Sequence, residues 1–132
     1  MNVVLLSTYD LGRQPFGLAS PAAWLRRAGH AVQAIDLSRE PLPVDAVMAA
    51  DLIAFYLPMH TAMRLAMPVI DRVRATNPRA RICAYGLYAP LNADLLRQHG
   101  VTVVLGPEAE QALVDLAATD SSNFQALKPL KP

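Results

Sequence analysis

Cysteine is almost missing: Cys83 is the only one in 132 residues. A single thiol excludes an internal disulfide, a four-cysteine zinc site and any iron–sulfur cluster held by three or four cysteines of this chain. With no disulfide framework, the cytoplasm is the default compartment. Charge of one sign is also lacking, since 12 Lys and Arg stand against 11 Asp and Glu, for a formal net charge of +1. No global field draws the chain to a polyanion or an anionic surface, so neither nucleic acid nor a membrane is an expected partner. Long hydrophobic runs are lacking too. The longest uncharged stretch in the middle of the chain, 52–63, falls short of the roughly 20 apolar residues a spanning helix needs, and Pro58 interrupts it. The N-terminus, MNVVLLSTYD, has no basic leader and no small-residue cleavage site, so it reads as a first strand rather than a signal peptide.

What is present is apolar and ordered. At 53% hydrophobic and 17% charged, the chain is too apolar for intrinsic disorder, and its length suits one domain. Short apolar, β-branched runs at 2–7, 31–35, 52–57, 80–85 and 101–105 predict five strands. Between them, helical spacing predicts helices over 18–28, 44–50, 61–75, 91–99 and 108–118. Gly29 and Gly100 sit where left-handed C-terminal caps belong. Pro68 is expected to distort the long third helix or end its first part, and Pro107 fits the first turn of the last one. Residues 1–118 form the predicted domain, and the polar, Pro-containing 119–132 reads as a tail or linker.

Strictly alternating strands and helices imply a parallel sheet with right-handed crossovers and helices on both faces. The expected fold is a three-layer, flavodoxin-like, doubly wound α/β sandwich with strand order 2-1-3-4-5. Ligands of such sheets sit beyond the carboxyl ends of the strands. The loops that count are therefore 8–17, 58–61, 86–90 and 106–110.

Those loops exclude several chemistries. Gly12 and Gly17 have the four-residue gap of a phosphate-cradling loop, but Leu18 and Ala19 stand where its Lys and Ser or Thr belong. No G-x-G-x-x-G follows a strand, so the dinucleotide fingerprint is missing. The third strand ends in Leu57 and Pro58, with no carboxylate to accept phosphate, and no lysine precedes Lys128. Ser7 and Thr8 offer hydroxyls to a flavin phosphate. Cys83, inside an apolar strand, reads as inert core. His30 and His99 lie at helix ends and read as caps or solvated residues, whereas His60 lies on the ligand edge. Tyr9, Phe16, Tyr56, Tyr85 and Tyr88 place aromatic surface near that edge, suited to a large flat ligand, although Tyr56 and Tyr85 are equally readable as core. Met59, Met63 and Met67 read as helix packing.

In the order and spacing of these segments, from VVLLST through PFGLASPAAWLRRAGHAVQAIDLS and the stretch 50–90 to GVTVVLGPEAEQALVDL, the chain resembles the cobalamin-binding domain at the N-terminus of many radical S-adenosylmethionine enzymes. The resemblance implies a module that covers one face of a corrinoid and presents it to a catalytic domain. It assigns cofactor contact to Tyr9, Asp10, Gly12 and Phe16 in the first loop, Met59, His60 and Thr61 in the next, and Gly86, Leu87, Tyr88 and Gly106 in the last two. One branch of corrinoid domains carries D-x-H-x-x-G, whose His binds cobalt. Here Asp10 is followed by Gly12 and Pro15 at those places, which implies base-off cobalamin without that ligand and leaves His60 as the one candidate cobalt ligand. Radical chemistry needs C-x-x-x-C-x-x-C, so this chain alone is not that enzyme and its partner would be a radical S-adenosylmethionine domain or subunit. Two alternatives remain: a cofactor-free interaction module, for instance a homodimer, and a flavin-binding protein.

Overall fold

The computed structural model describes residues 1–11 and 15–119. Strands β1 (Asn2–Ser7), β2 (Ala31–Asp36), β3 (Leu52–Tyr56), β4 (Arg81–Tyr85) and β5 (Val103–Val104) form one parallel sheet in the order β2-β1-β3-β4-β5. Helices α1 (Phe16–Arg27), α2 (Val44–Ala49), α3 (His60–Thr76), α4 (Ala93–Gln98) and α5 (Glu110–Ala118) make the connections, with a short 3₁₀ turn, Pro90–Asn92, ahead of α4. The expected architecture and strand order are the observed ones.

Strands β1, β3 and β4 read as near-continuous apolar runs because both faces of the sheet are covered there, whereas the edge strand β2 alternates and is only partly buried. Val4, Leu6, Ile53, Phe55 and Ile82 point to one side, against Val47 of α2, Ile70 and Val73 of α3 and Leu96 of α4. Val3, Leu5, Leu52, Ala54 and Cys83 point to the other, against Leu18 and Leu25 of α1 and Leu113 and Leu116 of α5. Each large side chain so buried contributes roughly 1.5–3 kcal/mol.

The structure corrects several boundaries. Helix α1 begins at Phe16, ahead of the predicted start at 18, because the Pro15 carbonyl already accepts the Leu18 and Ala19 amides. Pro68 neither breaks nor shortens α3, which runs unbroken over 17 residues. Pro68 and Arg64 are on the exposed face, so the carbonyl that loses its helical donor faces solvent. Strand β5 is a two-residue ladder rather than five, flanked by the single bonds Thr102 N to Ile82 O and Leu105 N to Ala84 O. The last helix starts at Glu110, not 108: Glu108 has φ +56°, in the left-handed region, which places Pro107 in the preceding turn. Gly29 and Gly100 do take the left-handed conformation, with φ +96° and +95°.

Candidate functional site

At the carboxyl edge of the sheet, parallel register lines up Asp36, Ser7, Tyr56 and Tyr85 side by side on β2, β1, β3 and β4. Parallel neighbours in register share a face, so this polar row lies on the side that α1 and α5 cover. Two of its oxygens are buried without a hydrogen-bond partner, Ser7 Oγ and Asp36 Oδ2. The two tyrosines are committed to structure. Their rings lie 5.4 Å apart, and the Tyr56 ring fills the space above Gly17, where an added Cβ would come within 2.2 Å of it. Tyr85 is buried, and its hydroxyl donates to the Gly17 carbonyl at 2.6 Å. That carbonyl has no helical donor, because four residues on stands Pro21, which has no N–H. Burial, then the neighbouring Cys83, Tyr56 and Glu110, push the Tyr85 hydroxyl well above its ordinary pKa. Tyr56 and Tyr85 are thus packing, not ligand surface.

The pairing of Pro21, Gly17 and Tyr85 sets the cost of removing that hydroxyl. Tyr85→Phe is expected to cost about 1–2 kcal/mol in urea unfolding, because it strands a partly buried carbonyl. In a Pro21→Ala background, the alanine amide can occupy that carbonyl, and the same change should cost less than half as much. Equal losses in both backgrounds would mean that the hydroxyl serves another purpose.

Thr8 is similarly occupied: it is buried and its Oγ1 donates to the Ala62 carbonyl at 2.7 Å. Ser7 is fully buried as well, so neither hydroxyl reaches the surface where a flavin phosphate would lie. Cys83 is buried and burial pushes its thiol far above its ordinary pKa, in keeping with inert core. His30 and His99 do not cap helix carbonyls with their rings. Nδ1 of His30 lies 3.2 Å from the Met1 amine, and Nδ1 of His99 lies 2.7 Å from Asp71.

Above the polar row, the predicted contact residues divide. His60, the first residue of α3, is exposed and meets the Tyr88 ring edge-on with centroids 6.3 Å apart. Met59 precedes it as an extended N-cap, and no side chain caps this end of α3, with Thr61 half-buried behind. Gly86, at φ +112°, is buried in the turn after β4 and its amide donates to the Gly106 carbonyl at 3.2 Å. Tyr88 N ties the same turn to the residue that follows β3, donating to Leu57 O at 3.0 Å. Leu87 and Phe16 project outward, 61% and 76% exposed. Tyr9 and Asp10 are half-buried, and Gly12 lies outside the described residues. Composition missed two more apolar residues of this edge, Leu11 at 58% and Leu91 at 74% exposure. Their only sequence signal was an apolar residue inside or beside a predicted loop.

Among the described residues no group of three or more His, Cys, Asp or Glu is placed to hold a metal ion, and no helix is long and apolar enough to cross a membrane. A groove of about 540 Å³ lies at the opposite, amino edge of the sheet, lined by Met1, Asp51, Asn77 and Arg79 among others. It is remote from the loops to which a sheet of this topology brings its ligands.

No protein-family model matches the chain, and no curated protein matches it. Solved structures do. A response regulator from Burkholderia pseudomallei, determined with a phosphorylated aspartic acid, calcium ion and citrate, superposes with a TM-score of 0.67 at 21% identity, covering 95% of this chain and 71% of that one. The flavodoxin-like domain of a Synechococcus protein gives 0.64 at 19% identity, covering 95% and 97%. A flavodoxin from the domain Archaea gives 0.60 at 16% identity, covering 96% and 99%. At such identities the likeness is one of architecture, since one fold hosts many functions. The chain has the flavodoxin-like fold.

Proposed function

We propose that the chain is a noncatalytic corrinoid-binding module. It seats one face of the macrocycle on the carboxyl edge of its sheet and leaves the other to a radical S-adenosylmethionine domain or subunit. The observation that carries this reading is that four of the ten exposed large apolar side chains among the described residues follow the carboxyl ends of the strands: Leu11 after β1, Phe16 at the start of α1, and Leu87 and Leu91 after β4. Exposed apolar surface gathered in one place marks a binding face. The buried Gly86 turn keeps the floor low, and the uncapped start of α3 offers backbone N–H groups to the amide side arms of a corrin. His60 and Tyr88 would contact the ring.

The fit concerns the ring face. Between α1 and β3, Tyr56 fills the space over Gly17, leaving no opening there for the nucleotide arm. The module therefore holds base-off cobalamin by its corrin, and cobinamide, which lacks the nucleotide, should bind within about threefold as well, a difference below about 1 kcal/mol. Gel filtration of the protein mixed with hydroxocobalamin, and separately with cobinamide, tests this through the visible spectrum of the protein peak. Leu87→Asp is expected to weaken both about tenfold, since a leucine buried on binding is worth about 1.5 kcal/mol. A base-off spectrum that changes on His60→Ala would place His60 on cobalt. A colourless protein peak with both corrinoids contradicts the reading and turns the apolar edge into a protein-interaction face.

A further inference from the structure

Helices α1 and α5 pack side by side on one face of the sheet and run in the same direction, because each follows a strand of the same parallel sheet. Their charges are of opposite sign. Helix α1, FGLASPAAWLRR, holds Arg26 and Arg27 and no acid, whereas α5, EQALVDLAA, holds Glu110 and Asp115 and no base. Ser20 Oγ of α1 donates to Glu110 Oε2 of α5 at 2.7 Å, and among the described residues no ion pair joins the two helices. Arg26 donates to the Val32 carbonyl at 2.9 Å, which leaves Arg27 as the outward cation. Asp115, the outward anion, accepts only from Gln111 on its own helix, at 2.9 Å.

Around these charges the face is apolar and small. Ala23 and Trp24 of α1 and Ala118 of α5 are exposed. Trp24, the one tryptophan of the chain, is 39% exposed, and the Arg27 guanidinium lies 5.8 Å from its ring centre. Tryptophan and arginine are the residue types most enriched where interfaces concentrate their binding energy. A basic helix beside an acidic one also selects the occupant. A partner of one charge sign is attracted to one helix and repelled by the other, whereas a second copy, turned about a two-fold axis along the helices, sets each α1 on the partner's α5.

The heights agree with that rotation. Measured from the Ser20–Glu110 bond, Arg27 lies seven residues on, about 10.5 Å, and Asp115 five residues on, about 7.5 Å. An axis parallel to the helices leaves heights unchanged, so Arg27 meets the partner's Asp115 with an offset of about 3 Å, within reach of an arginine side chain, and the contact forms twice. The antiparallel alternative sets the basic helix on its own copy and joins no opposite charges.

We infer that the α1–α5 face is a self-complementary interface occupied by a second copy of this chain, with Trp24 covered and Arg27 paired to Asp115 across the two-fold axis. The face lies on the helical layer, not the carboxyl edge, and does not depend on the corrinoid reading.

The test is sedimentation equilibrium of the full chain from micromolar to millimolar concentration, with Trp24 emission followed on the same samples. The expected result is a monomer–dimer equilibrium, with the emission moving to shorter wavelength as the dimer forms. Arg27→Glu and Asp115→Arg, both at exposed positions, should each weaken the dimer about tenfold or more, because each sets like charges opposite one another twice. An equimolar mixture of the two variants should regain the parental affinity within about threefold, since both contacts between unlike chains again join opposite charges. A monomer throughout the range overturns the assignment and leaves the face to a partner of another kind. A dimer that neither reversal weakens, or a mixture no tighter than the separate variants, overturns it as well and moves the contact to another surface.

Discussion

Gly86→Ala is expected to destabilise the protein by about 2–4 kcal/mol, the sum of backbone strain and a clash that has nowhere to relax. Gly86 has φ +112°, and a Cβ there would lie 2.8 Å from the Leu57 carbonyl oxygen and 3.0 Å from its carbon. The obstacle is backbone that is itself fixed: Leu57 N donates to Tyr85 O at 2.8 Å, and Leu57 O accepts from Tyr88 N. The change should therefore move Leu87 and Tyr88, and if the proposed corrinoid reading holds, corrinoid binding falls even where the variant remains folded. Gly29→Ala supplies the comparison. Its φ is +96° but nothing lies within 4 Å of the added Cβ, so only the conformational cost of about 1–2 kcal/mol applies. Chemical denaturation of the two variants separates the terms. Equal losses would mean that the turn after β4 does not press on β3.

The second large effect belongs to Asn77, at the opposite edge. Its side chain is buried and links three elements. Nδ2 donates to the carbonyls of Val47, Met48 and Ala50 at 2.8, 3.2 and 3.0 Å, closing the end of α2, while Oδ1 accepts from the Arg79 and Ala80 amides ahead of β4. Asn77→Ala is expected to cost about 2–4 kcal/mol, because several buried groups lose partners together. Asn77→Asp keeps the shape but points an acceptor at three carbonyls, so it should cost more than the alanine at neutral pH. The sign of its pH dependence is fixed by the same repulsion. The folded state holds the proton of the introduced carboxyl more tightly than the unfolded chain, in which that carboxyl titrates near about 3.9. Relative to the parent, the variant then loses stability as the pH rises above that value and regains it below. Urea titrations across pH of parent and variant measure this, and a pH-independent difference would contradict the donor assignment of Nδ2.

Much of the architecture was legible because local signals and burial agree. Buried parallel strands leave continuous apolar runs, and left-handed glycines end helices at Gly29 and Gly100, so strand order and helix count could be read directly. The errors arise where a tertiary partner replaces a local rule. Pro68, expected to distort or end α3, sits inside it on the exposed face, as Pro21 sits inside α1 where a tyrosine from β4 meets the vacated Gly17 carbonyl. Asn77, followed by Pro78, carries a stop signal, but its service to α2 depends on residues some thirty positions away.

The candidate site takes its location from topology and its members from burial. Topology alone points to the loops after the strands, and His60, Leu87 and Tyr88 share that edge. Tyr56 and Tyr85, readable as either core or edge aromatics, take the core reading, and they differ from Tyr88 only in what covers them. Gly17 resembled half of a phosphate loop; in the structure its missing side chain makes room for a ring instead. Leu11 and Leu91 went unnoticed because exposure follows from the packing of neighbours, not from residue type.

The most direct test of the corrinoid reading is an amide titration of the nitrogen-15-labelled chain with hydroxocobalamin. The account predicts shifts at Leu11, Phe16, His60, Leu87 and Tyr88, saturating together, with Asn77 and Arg79 at the other edge unmoved. No shifts at saturating cobalamin, or shifts centred on Asn77 and Arg79, would contradict it.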